Sequence, residues 1–340
     1  MAADEPSHRP SVRAVEEILL GGEMLYTRLD AARLADVPSQ FTDRLWRAFG
    51  FPRSADDAVA YTEGDIAALC RLARLMRDDV LTEDDVIRMV RAVGQTMGRL
   101  AEWQVDMMAV RLTGDSDEPP SPASVDRLIE TADKYLADLE PLLVHAWRRQ
   151  LAAAGTRALV AAEATEDDSS STRMIAAVGF ADLVSFTAMS RDLNELELAR
   201  VVERFEETAS DMVAAHGGRL VKTLGDEVLF SADSPELGAE IALAIAEAVR
   251  KEPEVPDVRV GMAYGQILPL MGDVFGTTVN LAARLTAIAR PGTVVVDAAL
   301  AEALGESALY ETVRIIRRPA RGLGIIQPYV LRRTSEEAAR

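Results

Sequence analysis

The sequence has one cysteine, Cys70, which excludes an internal disulfide and any fold stapled by cross-links. Cys70 lies in an apolar-periodic run, so a buried free thiol is expected there. Aromatic residues make up only 5% of the chain against 49% hydrophobic residues overall. Uncharged apolar runs such as Met174 to Ala181 fall well short of the roughly 20 residues that span a bilayer, and no transmembrane segment is expected. The opening MAADEPSHRPS has early acids and no apolar stretch, so no secretory signal is expected and the reading is a cytoplasmic protein. Basic charge is scarce as well. The 37 Lys and Arg face 55 Asp and Glu, a net charge of −18 that argues against broad binding to nucleic acid or anionic membrane. A small anionic ligand stays open, because a few cations, backbone N–H groups or metal ions suffice to hold one.

What is present divides in two, as 340 residues exceed the usual domain size of about 100 to 200. Residues 11 to 112 carry helical apolar spacing, as in Val12, Val15, Leu19 and in Ile66, Leu69, Leu72 or Ala73, Met76. Thr62 with Asp65, and Thr82 with Asp85, read as helix starts of the capping-box type, with Asp in place of the longer Glu or Gln. TGDSDEPPSPAS, residues 113 to 124, reads as a solvated loop. From Val125 to about Ala154, the series Leu128, Ala132, Tyr135, Leu139, Leu142, Leu143 predicts a long helix that Pro141 kinks or divides. An all-helical regulatory domain over 1–160, a linker over 161–172 and a second domain over 173–333 are expected.

In that second domain, short apolar runs alternate with helices: MIAAVGF, a helix from about Leu196 to Ala215, RLVKTL and EVLFSA around Gly225-Asp226, a helix from about Glu236 to Arg250, VRVGMAY, a helix from about Val279 to Ala289, and TVVVD. Gly-Asp between two strand-like runs is a hairpin signal. The pattern predicts an α+β sandwich with helices on a mostly antiparallel sheet.

Three segments carry candidate chemistry. Asp182, in GFADLVSFT, follows an apolar strand and precedes a turn through Phe186 and Thr187 that can offer N–H groups to a phosphate. Asp226 sits at the tip of the LGDE hairpin, and two strand-end carboxylates brought together can hold a pair of hard divalent ions of the Mg²⁺ type. Taken singly, each is more often a cap or a turn residue. Lys222 is one of only three lysines in the chain, a weak sign that a compact ammonium is needed where Arg would otherwise serve. In GDVFGTTVNLAARL, Asp273 lies on a loop, and Asn280 and Arg284, four apart, share a helix face. Arg284 brings a fork that fits phosphate oxygens.

Together, FADLVSFT, KTLGDE and GDVFGTTVNLAARL resemble, position by position, the class III nucleotidyl cyclases, over about 150 residues. The resemblance implies a ferredoxin-like catalytic core and an adenylyl cyclase that makes cyclic AMP and pyrophosphate from ATP. It implies Asp182 and Asp226 as ligands of two Mg²⁺ or Mn²⁺ ions, Lys222 and Asp273 as base-selecting residues, and Asn280 and Arg284 as transition-state stabilisers. It further implies a homodimer whose sites combine the metal aspartates of one chain with the other four residues of its partner. An ammonium and a carboxylate suit adenine, whereas guanylyl cyclases of this class typically carry Glu and a small residue such as Cys at those places. In RRPARGLGIIQPYVL, Arg321 occupies the position of a phosphate-contacting lysine, and Leu323 departs from the family pattern.

LWRAFGFP and AYTEGDIAAL also resemble the helical regulatory domain of soluble actinobacterial-type cyclases, which implies tuning by pH or by another, unidentified effector. His145, on the long helix, is the candidate pH sensor, since a free imidazole titrates at about 6.5. Two rival readings stand beside these. One is a catalytically silent cyclase-like binding module. The other is a DNA-binding regulator, because Tyr26 to Phe51 loosely resembles a helix-turn-helix, although Arg and Asp are balanced there.

Overall fold

The computed structural model describes residues 10–53, 55–113, 122–163, 174–270 and 272–334. The chain divides into two compact units, Met1–Leu159 and Val160–Arg340.

The first unit contains α1 (Pro10–Leu19), β1 (Tyr26–Thr27), α2 (Arg28–Leu34), α3 (Ser39–Phe49), β2 (Val59–Tyr61), α4 (Glu63–Arg77), α5 (Glu83–Thr113) and most of α6 (Pro122–Glu163). It is helical except for β1 and β2, which pair antiparallel through Tyr26 and Tyr61, a small departure from the all-α expectation. Its core gathers Phe41, Leu45, Tyr61, Leu69, Val86 and Val90. The aromatics of LWRAFGFP close over it, with Trp46 ring centroids 4.8 Å from Phe51 and 4.3 Å from Tyr61. The Thr62–Asp65 box is reciprocal: the Thr62 amide donates to Asp65 at 2.8 Å and the Asp65 amide donates to Thr62 Oγ1 at 3.2 Å. Thr82 and Asp85 repeat it. An Asp carboxylate therefore reaches the N-cap amide without the extra methylene of Glu.

Three expectations change here. Cys70 is half-buried at the edge of the core and not fully enclosed. Residues 114–121 of the first loop lie outside the described residues, and 122–124 are already helical, Pro122 standing at the first helical position where its missing N–H is harmless. Helix α6 runs through Pro141 undivided and through residues 161–163 of the expected linker; the remainder of that linker lies outside the described residues. Proline deletes only its own N–H, and the bonds on either side carry the helix past it.

The second unit contains β3 (Met174–Leu183), α7 (Phe186–Asp192), α8 (Glu195–Ala215), β4 (Arg219–Thr223), β5 (Glu227–Ala232), α9 (Pro235–Val249), β6 (Val258–Leu270), β7 (Asp273–Phe275), α10 (Thr277–Ile288), β8 (Val294–Val296), α11 (Ala298–Ala303), β9 (Tyr310–Arg314), β10 (Arg318–Ala320), β11 (Gly324–Ile326) and β12 (Tyr329–Arg333). The main sheet has the order β4-β5-β3-β6-β8-β12-β9, with β7 paired to the far end of β6. Among the described residues, only the β6–β8 neighbours run parallel. The segment β3-α8-β4-β5-α9-β6, with strand order β4-β5-β3-β6, is the ferredoxin-like arrangement.

Alternation along β3 decides what each face holds. Ala177, Ala181 and Leu183 pack with Phe205 of α8 and Ile241 and Ile245 of α9 on one face. Ala176, Val178 and Phe180 pack with Ala282 and Leu285 of α10 on the other. Asp182, in step with Phe180, therefore belongs to the α10 face. At the opposite end of the sheet, Arg333 of β12 grips α9 through Glu240, with bonds of 2.6 and 2.8 Å, and through Glu247 at 3.0 Å. The Arg333 guanidinium holds the Glu240 carboxyl below its ordinary value, so this clamp contributes above the unfolded-state pKa and is lost as pH falls through the folded one.

Candidate active site

The order of the strands brings three charged residues into one rung. Across β5, β3 and β6, Glu227, Asp182 and Arg259 are successive Cα partners. Residues on one rung point to one face, here the α10 face. Arg259 Nε donates to Asp182 Oδ2 at 2.6 Å, and its Nη2 contacts the same oxygen. Burial pushes the Asp182 carboxyl up, the bond from Arg259 opposes that, and neighbouring Asp226 adds to the rise. Glu227 is pushed up by burial first, then by Asp182 and Asp226. Negative charge is thus concentrated where a cation would relieve it.

Asp226 occupies the β4–β5 turn, next to Gly225 at φ 75°, a dihedral that glycine adopts without strain. The Leu183 amide donates to the Asp226 carbonyl at 2.9 Å, which pins the hairpin tip against the end of β3 beside Asp182. Two carboxylates in this position are hard oxygen donors of the kind that Mg²⁺ and Mn²⁺ take. Among the described residues, no group of three or more His, Cys, Asp and Glu forms a metal cage.

Lys222 and Asp273, 51 residues apart in sequence, meet at 2.6 Å between Nζ and Oδ2. Burial raises the Asp273 carboxyl, but bonds from Lys222 and from the Val274 amide outweigh it and leave the group below its ordinary value. Asn280 and Arg284 stand exposed on α10. Their helix lies unusually close to the sheet, because a Cβ on Gly261 of β6 would come within 2.0 Å of the Thr286 backbone nitrogen. Thr278 Oγ1 donates to the Gln266 carbonyl at 2.7 Å and fixes the other end of α10.

Phe186 and Thr187 open α7 after Ser185, which takes the left-handed conformation at φ 61°. The Phe186 side chain packs partly against the α8–α9 core while Thr187 is exposed. Arg321 is exposed at the turn of the separate β10–β11 hairpin. The residue that sequence reasoning missed is Arg259, concealed inside VRVGMAY. The available signal was a lone cation at an alternate position of an otherwise apolar strand.

The profile described as "Adenylate and Guanylate cyclase catalytic domain" matches residues 170–332. An adenylate cyclase of Streptomyces coelicolor (strain ATCC BAA-471 / A3(2) / M145) is 42% identical over 357 residues, covering 97% of this chain and 91% of its own length. The chain belongs to the adenylate and guanylate cyclase family. A second relative in this cyclase family, an adenylate cyclase of Glutamicibacter nicotianae, is 38% identical over 341 residues, covering 96% of this chain and 84% of the relative. A third, named a pH-sensitive adenylate cyclase, of Mycobacterium tuberculosis (strain CDC 1551 / Oshkosh), is 29% identical over 278 residues, covering 80% of this chain and 68% of the relative. The likeness to the two closer relatives extends through the helical unit as well as the cyclase domain.

Membership in this family leaves the DNA-binding rival without support. In the segment that prompted it, Arg28 pairs with Asp56 at 2.7 Å, Arg33 with Asp30 at 3.1 Å and Arg47 with Asp43 at 3.0 Å, so these arginines are neutralised and build no basic face. No helix is long and apolar enough to cross a membrane among the described residues.

Proposed function

We propose that this chain is an adenylate cyclase that converts ATP to 3′,5′-cyclic AMP and pyrophosphate at sites shared between two copies of the chain. The observation that carries the substrate assignment is the Lys222–Asp273 pair at 2.6 Å. Its ammonium donates to an adenine ring nitrogen and its carboxylate accepts from the adenine amino group. Guanine presents the reverse pattern and leaves both half-buried groups mismatched.

Asp182 and Asp226 would hold two Mg²⁺ or Mn²⁺ ions, the carboxylates standing together beside an arginine that offsets their charge in the ion-free state. Bound there, such ions would acidify the ribose 3′-hydroxyl and carry charge on the departing pyrophosphate. The 3′-oxygen attacks the α-phosphorus, its proton passes to water, and the bond from the α-phosphorus to the α,β-bridging oxygen breaks to release pyrophosphate. Arg284 and Asn280, presented by α10 of the partner copy, act on the charge and geometry that develop at the α-phosphate. Backbone amides at Phe186 and Thr187, together with Arg321, are assigned to the triphosphate. An exposed Asn280–Arg284 face suits a site completed by a second copy in a two-fold dimer.

Purified protein incubated with ATP or GTP and Mg²⁺ or Mn²⁺ tests the assignment. Cyclic AMP should form, with ATP favoured over GTP by about 100-fold, the discrimination expected of two mismatched hydrogen bonds to charged groups. Absence of product would favour the silent-module reading, and equal use of GTP would overturn the base assignment.

We assign residues 1–160 to regulation and 173–333 to catalysis, in a protein working in the cytoplasm where ATP is available. A relative's name includes pH sensitivity, and α6, 42 residues long, bears an exposed His145. Deleting residues 1 to about 165 is expected to leave an active core whose cyclic AMP production from pH 5.5 to 8.5 follows a different profile from that of the full chain. Parallel profiles would reject pH regulation by this region, and a His145→Ala profile identical to the parent would reject only the histidine.

A further inference from the structure

Strand β4 carries an irregularity that the base-selecting pair does not by itself explain. Its register against β5 runs Arg219↔Ser231 and Leu220↔Phe230, then skips Val221 and resumes at Lys222↔Leu229. In a regular strand, residues three apart point to opposite faces. The extra residue cancels that, as a β-bulge does, and sets Arg219 and Lys222 on the same face, the one where Leu229 meets α10. Both side chains then reach the β6–β7 connection. Lys222 binds the Asp273 carboxylate, and Arg219, half-buried, donates through Nη2 to the carbonyl of Gly272, the residue immediately before Asp273.

We propose that Arg219 is a positioning residue for base selection, tethering the backbone beside Asp273 to the strand that bears Lys222 so that the two groups keep the spacing an adenine edge requires. The inference rests on the assignment of Lys222 and Asp273 as the adenine-reading pair. Asp273 begins β7, a three-residue strand held on one side by β6. In the free protein Asp273 has a second anchor, its bond to Lys222. An arriving adenine competes for that pair, since the ammonium also donates to the ring nitrogen and the carboxylate also accepts from the amino group. Asp273 then has a weaker side-chain link to β4 at the moment its placement matters, keeping the bond from the adjacent Val274 amide, which ties it only to its own strand. The Arg219 bond to the Gly272 carbonyl persists, because it is made to backbone and does not compete with the base. Arg219 also lies near enough to help hold the Asp273 carboxyl ionised, the form that accepts a hydrogen bond.

The test is Arg219→Ala in the full chain, with Arg219→Gln as a second variant that retains most of the stem and Arg219→Lys as the conservative one. Arg219→Ala should raise the KM for ATP about tenfold, the scale of one charge-assisted hydrogen bond, with kcat within about twofold of the parent. The ATP-over-GTP preference should fall by a similar factor. Equilibrium titration with non-cyclisable ATP and GTP analogues should reproduce the loss without turnover, and Arg219→Lys should recover most of it. Thermal unfolding identifies any variant that fails to fold, in which case Arg219→Gln is read in its place. Asp273→Ala is run alongside. If it erodes ATP preference while folded Arg219 variants leave KM and preference within twofold, the tether is overturned and the base-reading pair stands. If Asp273→Ala itself leaves the preference intact, the base-reading assignment falls and the proposal with it. A drop in kcat alone would also overturn it, as the role assigned is in binding.

Discussion

Asp182→Ala and Asp226→Ala should each lower cyclic AMP formation by about 1,000-fold, since metal-assisted charge stabilisation supplies a term of that size. The same substitutions should leave the fold intact. Asp182 is held by Arg259 and crowded by Glu227 on the same rung, so its removal takes away one ion pair and, with it, a like-charge repulsion. Arg259 then has Glu227 within its own rung as an alternative partner. Asp226 contributes its backbone carbonyl to the Leu183 amide, a bond that alanine retains. Circular dichroism and thermal unfolding should therefore stay near the parent while calorimetric titration with Mn²⁺ loses its signal. Retained turnover in either variant would remove the metal assignment. Retained Mn²⁺ binding with lost turnover would relocate the metal and leave these aspartates another role.

Much of this site was legible because its residues sit where local rules are strict. Gly225-Asp226 between apolar runs signalled a hairpin turn, and the structure has it between β4 and β5. The spacing of Asn280 and Arg284 required a shared helix face, which α10 provides. Caps written as Thr-x-x-Asp announced α4 and α5 for the same reason, each donor and acceptor being three residues apart. The third such cap, Thr27 with Asp30, escaped because Thr27 also ends a two-residue strand too short to show periodicity.

What was hidden depends on partners distant in sequence. Arg259 lies 77 residues from Asp182, and only the β3–β6 register unites them. Strand β6 extends to Leu270, beyond the VRVGMAY segment, because Met174 finds Ile267 across the sheet and β7 pairs with the far end. The carboxy-terminal strands β9 to β12 are three to five residues long and interrupted by Pro319 and Pro328, which blunts any alternating pattern. In the main sheet β12 is placed by its pairing with β8 and by the Arg333 clamp, and β9 by its pairing with β12, while β10 and β11 form their own hairpin. Likewise the close seat of α10 depends on Gly261, whose need for a missing side chain appears only when Thr286 is seen above it.

The central claim, an ATP cyclase whose site is divided between two copies, is tested most directly by mixing two inactive chains. Asp182→Ala damages the metal half of a site and Arg284→Ala damages the half presented by α10. In a homodimer of either variant, both sites carry the lesion. In a heterodimer, one site collects both lesions and the other collects neither. Random exchange makes half the dimers heterodimers with one intact site of two, so cyclic AMP production should return to about a quarter of the parent rate at equal total chain. Recovery of that order, appearing only after subunit exchange, is the predicted result. No recovery from a mixture in which exchange has been demonstrated by differently tagged chains would contradict the shared site.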